Sequence, residues 1–108
     1  MSAPGPARNR APAPPAPIDP AARPALPRGV RVRWDAVRQG WVLLAPERAL
    51  RLDQIGVAIL ERADGARSFA DIVADLAAAY DAPPERIAAD AGRFLSALAA
   101  RRMIELRP

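Results

Sequence analysis

The sequence predicts an α+β domain in which a three-stranded antiparallel sheet is followed by three helices, in the order βββααα. Three observations carry this reading. Apolar residues recur at period two in short segments between residues 30 and 52. After Leu52 the period changes to that of a helix, and the pattern then recurs three times. Tight-turn residues separate the segments, so neighbours in sequence are neighbours in space.

The elements follow in order. "VRVRWD" places Val30, Val32 and Trp34 on one face and Arg31, Arg33 and Asp35 on the other, a half-buried strand. "AVRQG" reads as a turn in which Gly40 takes a positive φ. "WVLL" (residues 41–44) is a second strand. "APER" turns the chain again, with Pro46 presetting φ. "ALRL" is a third strand, with Leu50 and Leu52 inward and Arg51 outward. Asp53 caps the first helix, whose stripe is Leu52, Ile55, Gly56, Ile59, Leu60 and Ala63. It ends at Asp64-Gly65. Ser68 caps the second helix, with Asp71 three residues on and a stripe of Phe69, Ile72, Val73, Leu76, Ala77 and Tyr80. Pro83 and Pro84 sit in the first turn of a third helix, where proline is tolerated. That helix runs to about Arg101, with Ile87, Ala91, Phe94, Leu95 and Leu98 inward. "MIEL" closes the domain as a short extended piece that returns Ile104 and Leu106 to the core.

Glycine in the apolar stripe of the first helix costs about 1 kcal/mol relative to alanine. The expected reason for Gly56 is close approach of a bulky neighbour, from among Trp34, Trp41, Phe69 and Phe94. Nine of the 13 prolines precede Gly29. Residues 1–28 therefore read as a disordered Pro-rich tail, a tether or spacer, and residues 29–108 as the folded domain.

Composition excludes whole classes of chemistry. The 108 residues contain no cysteine and no histidine, so there is no thiolate nucleophile, zinc finger or imidazole base. The acids stand singly in turns and near helix starts, where they cap and offset the dipole. No nucleophile–base pair or phosphate-binding glycine loop is present. The chain reads as a non-enzyme that needs no metal and no cofactor. No apolar run reaches the roughly 18 residues of a membrane span and no secretory signal is visible, so the expected location is cytoplasmic. The net charge of +4 is carried by arginine alone and is uneven, +3 in residues 1–28 and +1 in the rest. A nearly neutral domain gives no basis for nucleic-acid binding.

Two surfaces are candidates for binding. The strand of Ala49, Leu50, Arg51 and Leu52 is an edge of the meander, open to an extended peptide by β-augmentation. Off its apolar face, the third helix carries a second stripe with Arg93, Ala97 and Arg101, one wall of a groove in which the arginines reach for carboxylates.

Asp35, "LLAPE" at 43–47, "L-x-x-x-G-x-x-I-L" at 52–60, Asp64-Gly65, and Asp90 before "RFLSAL" together resemble the PqqD family of pyrroloquinoline quinone (PQQ) biosynthesis. The likeness spans residues 28–106, about three quarters of the chain. It implies a winged-helix-like fold and the role of a peptide chaperone, a recognition element for ribosomally made, modified peptides. The implied partners are the precursor peptide PqqA and the radical S-adenosylmethionine enzyme PqqE. The implied site is the third strand, which the peptide extends, beside the third helix around Arg93, Ala97 and Arg101. A DNA-binding winged helix is the alternative, using Arg86, Arg93, Arg101 and Arg102. The acids on the same helix and the strand order stand against it. The sequence is compatible with a monomer or a dimer.

Overall fold

The computed structural model of the chain describes residues 18–108. Its elements are β1 (Arg23–Ala25), β2 (Arg31–Asp35), β3 (Gly40–Ala45), β4 (Arg48–Leu52), α1 (Gln54–Glu61), α2 (Phe69–Tyr80), α3 (Pro84–Ala100) and β5 (Glu105–Arg107). The expected meander is the sheet β2-β3-β4, wholly antiparallel. Its register puts Val32, Leu43 and Leu50 in one row and Trp34, Trp41 and Leu52 in the next, on the same face. That face is inward at the first row, whereas Trp34 and Trp41 in the second, expected on the core side, are substantially exposed at the end of the sheet. Leu43 is completely buried, and Val32, Leu50 and Leu52 pack on the core. The other face carries the row Arg33, Val42, Arg51.

The first turn differs in detail from expectation. Gln39, not Gly40, takes the positive φ, at 57°, and Gly40 opens β3. The Asp35 carboxylate accepts the amides of Val37 and Arg38 at 3.0 and 3.1 Å, which fixes the turn without a left-handed glycine. In the second turn Glu47 has φ 63°.

The helices start where capping places them. The Asp53 side chain accepts the Gly56 amide at 2.7 Å, and Ser68 Oγ accepts that of Asp71 at 3.1 Å. Pro84 opens α3. Leu43, Ile72, Leu76, Leu95 and Leu98 fill the centre, between the inner sheet face and the three helices. Ile55 and Tyr80, expected inward, are instead 45% and 47% exposed. Each lies at an end of its helix, where the stripe has run past the core.

The boundary at residue 28 needs correction. Residues 1–17 lie outside those described, but Ile18 onward belongs to the fold. β1 pairs antiparallel with β5, joining Arg23 to Arg107 and Ala25 to Glu105. Pro24 is among the fully buried side chains, and Ile18 and Ala25 are buried with it. The segment also supplies acceptors that helix α2 lacks. Ala22 O takes the Phe69 amide at 2.7 Å and Pro20 O takes that of Ala70 at 3.0 Å, two of the orphan donors of the first turn. β5 is thus a strand, not a loose extended end. Ile104 is buried as expected, while Leu106 stays 37% exposed.

Candidate functional site

β4 is an outer strand of its sheet, and among the described residues nothing pairs with its far edge. α3 runs beside it. Two contacts fix their relation. At one end Arg48 Nη2 donates to the carbonyl of Arg101, just past the end of α3, at 2.7 Å. At the other end Gly56 has Leu52 and Phe94 both beside it. A Cβ on this glycine would lie 3.2 Å from Phe94 Cζ and 3.5 Å from Leu52 Cδ2. Arg48 at the start of the strand therefore meets the end of the helix, and Leu52 meets its middle. The strand and helix are antiparallel walls of one groove, and Gly56 permits their close approach at its closed end.

At the open end lies a cleft of about 510 Å³, lined by Glu47, Arg48, Ala49, Leu50, Arg101 and Met103. It holds two cations and one carboxylate over an aliphatic floor, a setting for a peptide backbone with acidic or neutral side chains. Asp90, Ala97 and Arg101 stand four residues before, three after and seven after Phe94, on its side of the helix. Ala97 is exposed and adds no bulk to this wall.

The residues singled out from the sequence therefore separate. Ala49, Leu50 and Arg101 line the cleft together, and Leu52 sits at the closed end. Arg51 is on the opposite face of the sheet. Arg93 is held by Asp90 at 2.5 Å on the surface of α3. Sequence reasoning missed Glu47, Arg48 and Met103. Arg48 was readable only as a turn residue, and its role depends on the helix end more than 50 residues away. Of the four bulky side chains expected to approach Gly56, Phe94 is the one that a Cβ there would meet.

The carboxylates with perturbed acidity are elsewhere. Asp35 is held below the ordinary carboxylate range by the Arg38 amide first and then by the Arg38 guanidinium. The amides of Arg67 and Ala66 lower Asp64, and the hydrogen bond from Arg62 lowers Asp75. All three anchor turns or helices. Among the described residues no three His, Cys, Asp or Glu side chains gather as a metal site. None of the helices among the described residues is long and apolar enough to cross a membrane. Two larger depressions exist. One, between α2 and α3, is lined mainly by alanine. The other, where residues 18–22 meet α3 and β5, is also chiefly apolar. The first has no strand in its lining, and the second has only the three-residue β5.

Residues 40–104 match the family model of PqqD, coenzyme PQQ synthesis protein D. The chain is 51% identical over 81 residues to a PqqA binding protein of Rhizobium meliloti, covering 75% of this chain and 83% of the relative. A PqqA binding protein of Xanthomonas oryzae is 44% identical over 84 residues, 78% of this chain and 91% of that one. Among solved structures, it is similar to the solution NMR structure of the PqqD truncation of Methylobacterium extorquens PqqCD. That protein is described as a functional, stand-alone recognition element for ribosomally synthesized and post-translationally modified peptides. The TM-score is 0.71 at 44% identity, over 85% of this chain and 97% of that one. The crystal structure of PqqD from Xanthomonas campestris superposes with a TM-score of 0.53 at 41% identity, over 76% of this chain and 91% of that one.

Proposed function

The chain belongs to the PqqD family, and from that premise we propose that it is a peptide chaperone of PQQ biosynthesis. In this reading it binds the precursor peptide PqqA and presents it to the radical S-adenosylmethionine enzyme PqqE. The peptide adds as a strand to the free edge of β4, in the groove walled by α3. The single observation that carries this is the unpaired edge of β4 running antiparallel to α3, hydrogen-bonded to its end through Arg48 and flanking Gly56 together with Phe94 at the other end. The relatives' name, PqqA binding protein, supports the ligand.

The energetics ask for more than backbone pairing. Four main-chain hydrogen bonds net about 2–6 kcal/mol, and a micromolar complex needs about 8. Leu50, Leu52 and the Phe94 ring offer apolar contact, and Arg48 and Arg101 offer charge. The peptide chemistry itself belongs to the enzyme partner, since this chain brings no nucleophile–base pair.

The test is an NMR titration of the ¹⁵N-labelled full chain with the PqqA peptide. Shifts are expected on the amides of residues 48–52 and on α3 from Phe94 to Arg101. Binding that shifts other elements and leaves β4 unmoved would overturn the strand-addition site. An absence of shifts at high micromolar peptide would overturn the chaperone reading.

A further inference from the structure

An added strand on β4 continues the cross-strand rows of the sheet, and those rows state what its side chains must be. The outward row is Arg33, Val42, Arg51. Val42 is 6% exposed although it lies on the outer face, with the long side chains of the two arginines on either side. Neither guanidinium has a hydrogen bond or ion pair among the described residues. The Arg51 guanidinium rests over Gly40, where a Cβ would lie 3.1 Å from its Nη2. The carboxylate across from that glycine, Asp35, is already held by Arg38 at 3.0 Å. Arg51 therefore keeps an uncommitted charge on the edge strand itself, one strand spacing from the position of an added strand. The inward rows end in Leu50 and in Leu52, the latter continuing from the edge-to-face pair Trp34–Trp41.

We infer that the segment bound at β4 alternates apolar–acidic–apolar, with an Asp or Glu directly opposite Arg51 on the outer face. Apolar side chains stand opposite Leu50 and Leu52 on the inner face. Directly opposed residues of neighbouring strands bring their Cβ atoms within about 5.5 Å, so an opposed carboxylate is within reach of Arg51. Arg51 is then a specificity-determining residue that selects the register of the peptide, because a slip of one residue would turn the acid toward the apolar floor. This inference rests on the strand-addition reading.

The experiment uses the full ¹⁵N-labelled chain and its Arg51→Gln, Arg51→Glu and Arg33→Gln variants. The probes are the synthetic PqqA peptide of Rhizobium meliloti and a set in which each carboxylate is replaced in turn by its amide. Arg51→Gln is expected to weaken binding about 3-fold, as for an opposed charge pair. Arg51→Glu should weaken it more, and both losses should shrink at about 0.5 M salt. One amide-substituted peptide should lose the same factor against the wild type and nothing against Arg51→Gln. Arg33→Gln, three strand positions from the peptide, should have a smaller effect. If residues 48–52 shift on binding but the Arg51 variants bind like the wild type, the inference is overturned and strand addition stands. The same holds if Arg33→Gln matches Arg51→Gln. If β4 does not shift with the wild type, strand addition fails and the inference fails with it.

Discussion

At Gly56 two effects of similar size oppose each other. Alanine would gain about 1 kcal/mol of helix propensity, but its Cβ would lie 3.2 Å from the tip of the Phe94 ring. The ring must give by a few tenths of an ångström. We expect Gly56→Ala to be near neutral in denaturant unfolding, within about 0.5 kcal/mol, because the gain and the displacement offset. With the ring removed in a Phe94→Leu background, the same substitution should become more favourable, by less than the propensity gain of about 1 kcal/mol because the new Cβ still lies 3.3 Å from the Asp53 carboxylate. Equal effects in both backgrounds would show that Phe94 is not what the glycine accommodates. The acids give a second test at this scale. Backbone amides hold Asp35 and Asp64 below their ordinary pKa in the folded chain. A depressed folded pKa contributes stability that is present above the unfolded value, near 3.9, and is lost as pH falls through the folded one. The melting temperature should therefore drop below about pH 4, and Asp35→Asn or Asp64→Asn should flatten that acid limb.

At the scale of elements, the β1–β5 ribbon is the part that sequence reading misplaced. Residues 18–28 look like the end of a proline-rich tail, and Pro24 cannot donate to a ladder. Yet a three-residue edge strand needs few donors. The burial of Pro24, Ile18 and Ala25 is decided by β5, about 80 residues later, and by the first turn of α2. Local pattern carries no trace of such a partner. By contrast, the meander and the three helices were legible, because alternation, caps at Asp53 and Ser68, and proline at the start of α3 are all local signals. The open edge strand β4 was legible for the same reason. Arg48 and Met103 were not, because the cleft forms only when the end of α3 folds over the turn before β4. The ribbon makes a prediction. A chain beginning at residue 29 should be less stable by more than about 2 kcal/mol than one beginning at residue 18. Burial of Ile18 alone is worth about 1.5–3 kcal/mol, and the first amides of α2 would lose their acceptors. Thermal unfolding of the two chains checks this, and equal stabilities would mean that the ribbon is not part of the cooperative unit.

For the whole molecule, the groove couples two layers that otherwise meet through the core. β4 belongs to the sheet and α3 to the helical layer. The Arg48–Arg101 hydrogen bond joins them directly at one end, and at the other Gly56 of α1 lies between Leu52 and Phe94. A strand lying between them would pair its backbone with β4 and its inward side chains with Phe94 and Leu50, so it can bind only where both layers are in place. Binding is then linked to folding of the entire domain. With peptide at about 100 times its dissociation constant, linkage adds roughly 2.7 kcal/mol of stability. In a domain of this size each kcal/mol moves the midpoint by about 4–8 °C. The melting temperature should thus rise by on the order of 10 °C and keep rising with peptide concentration. Arg51→Gln should give a smaller rise at the same peptide concentration, in proportion to its weaker binding. A peptide that binds in titration but leaves the midpoint unchanged would have equal affinity for the unfolded chain. Its contacts would then be local to one segment, and the groove between the layers would not be its site.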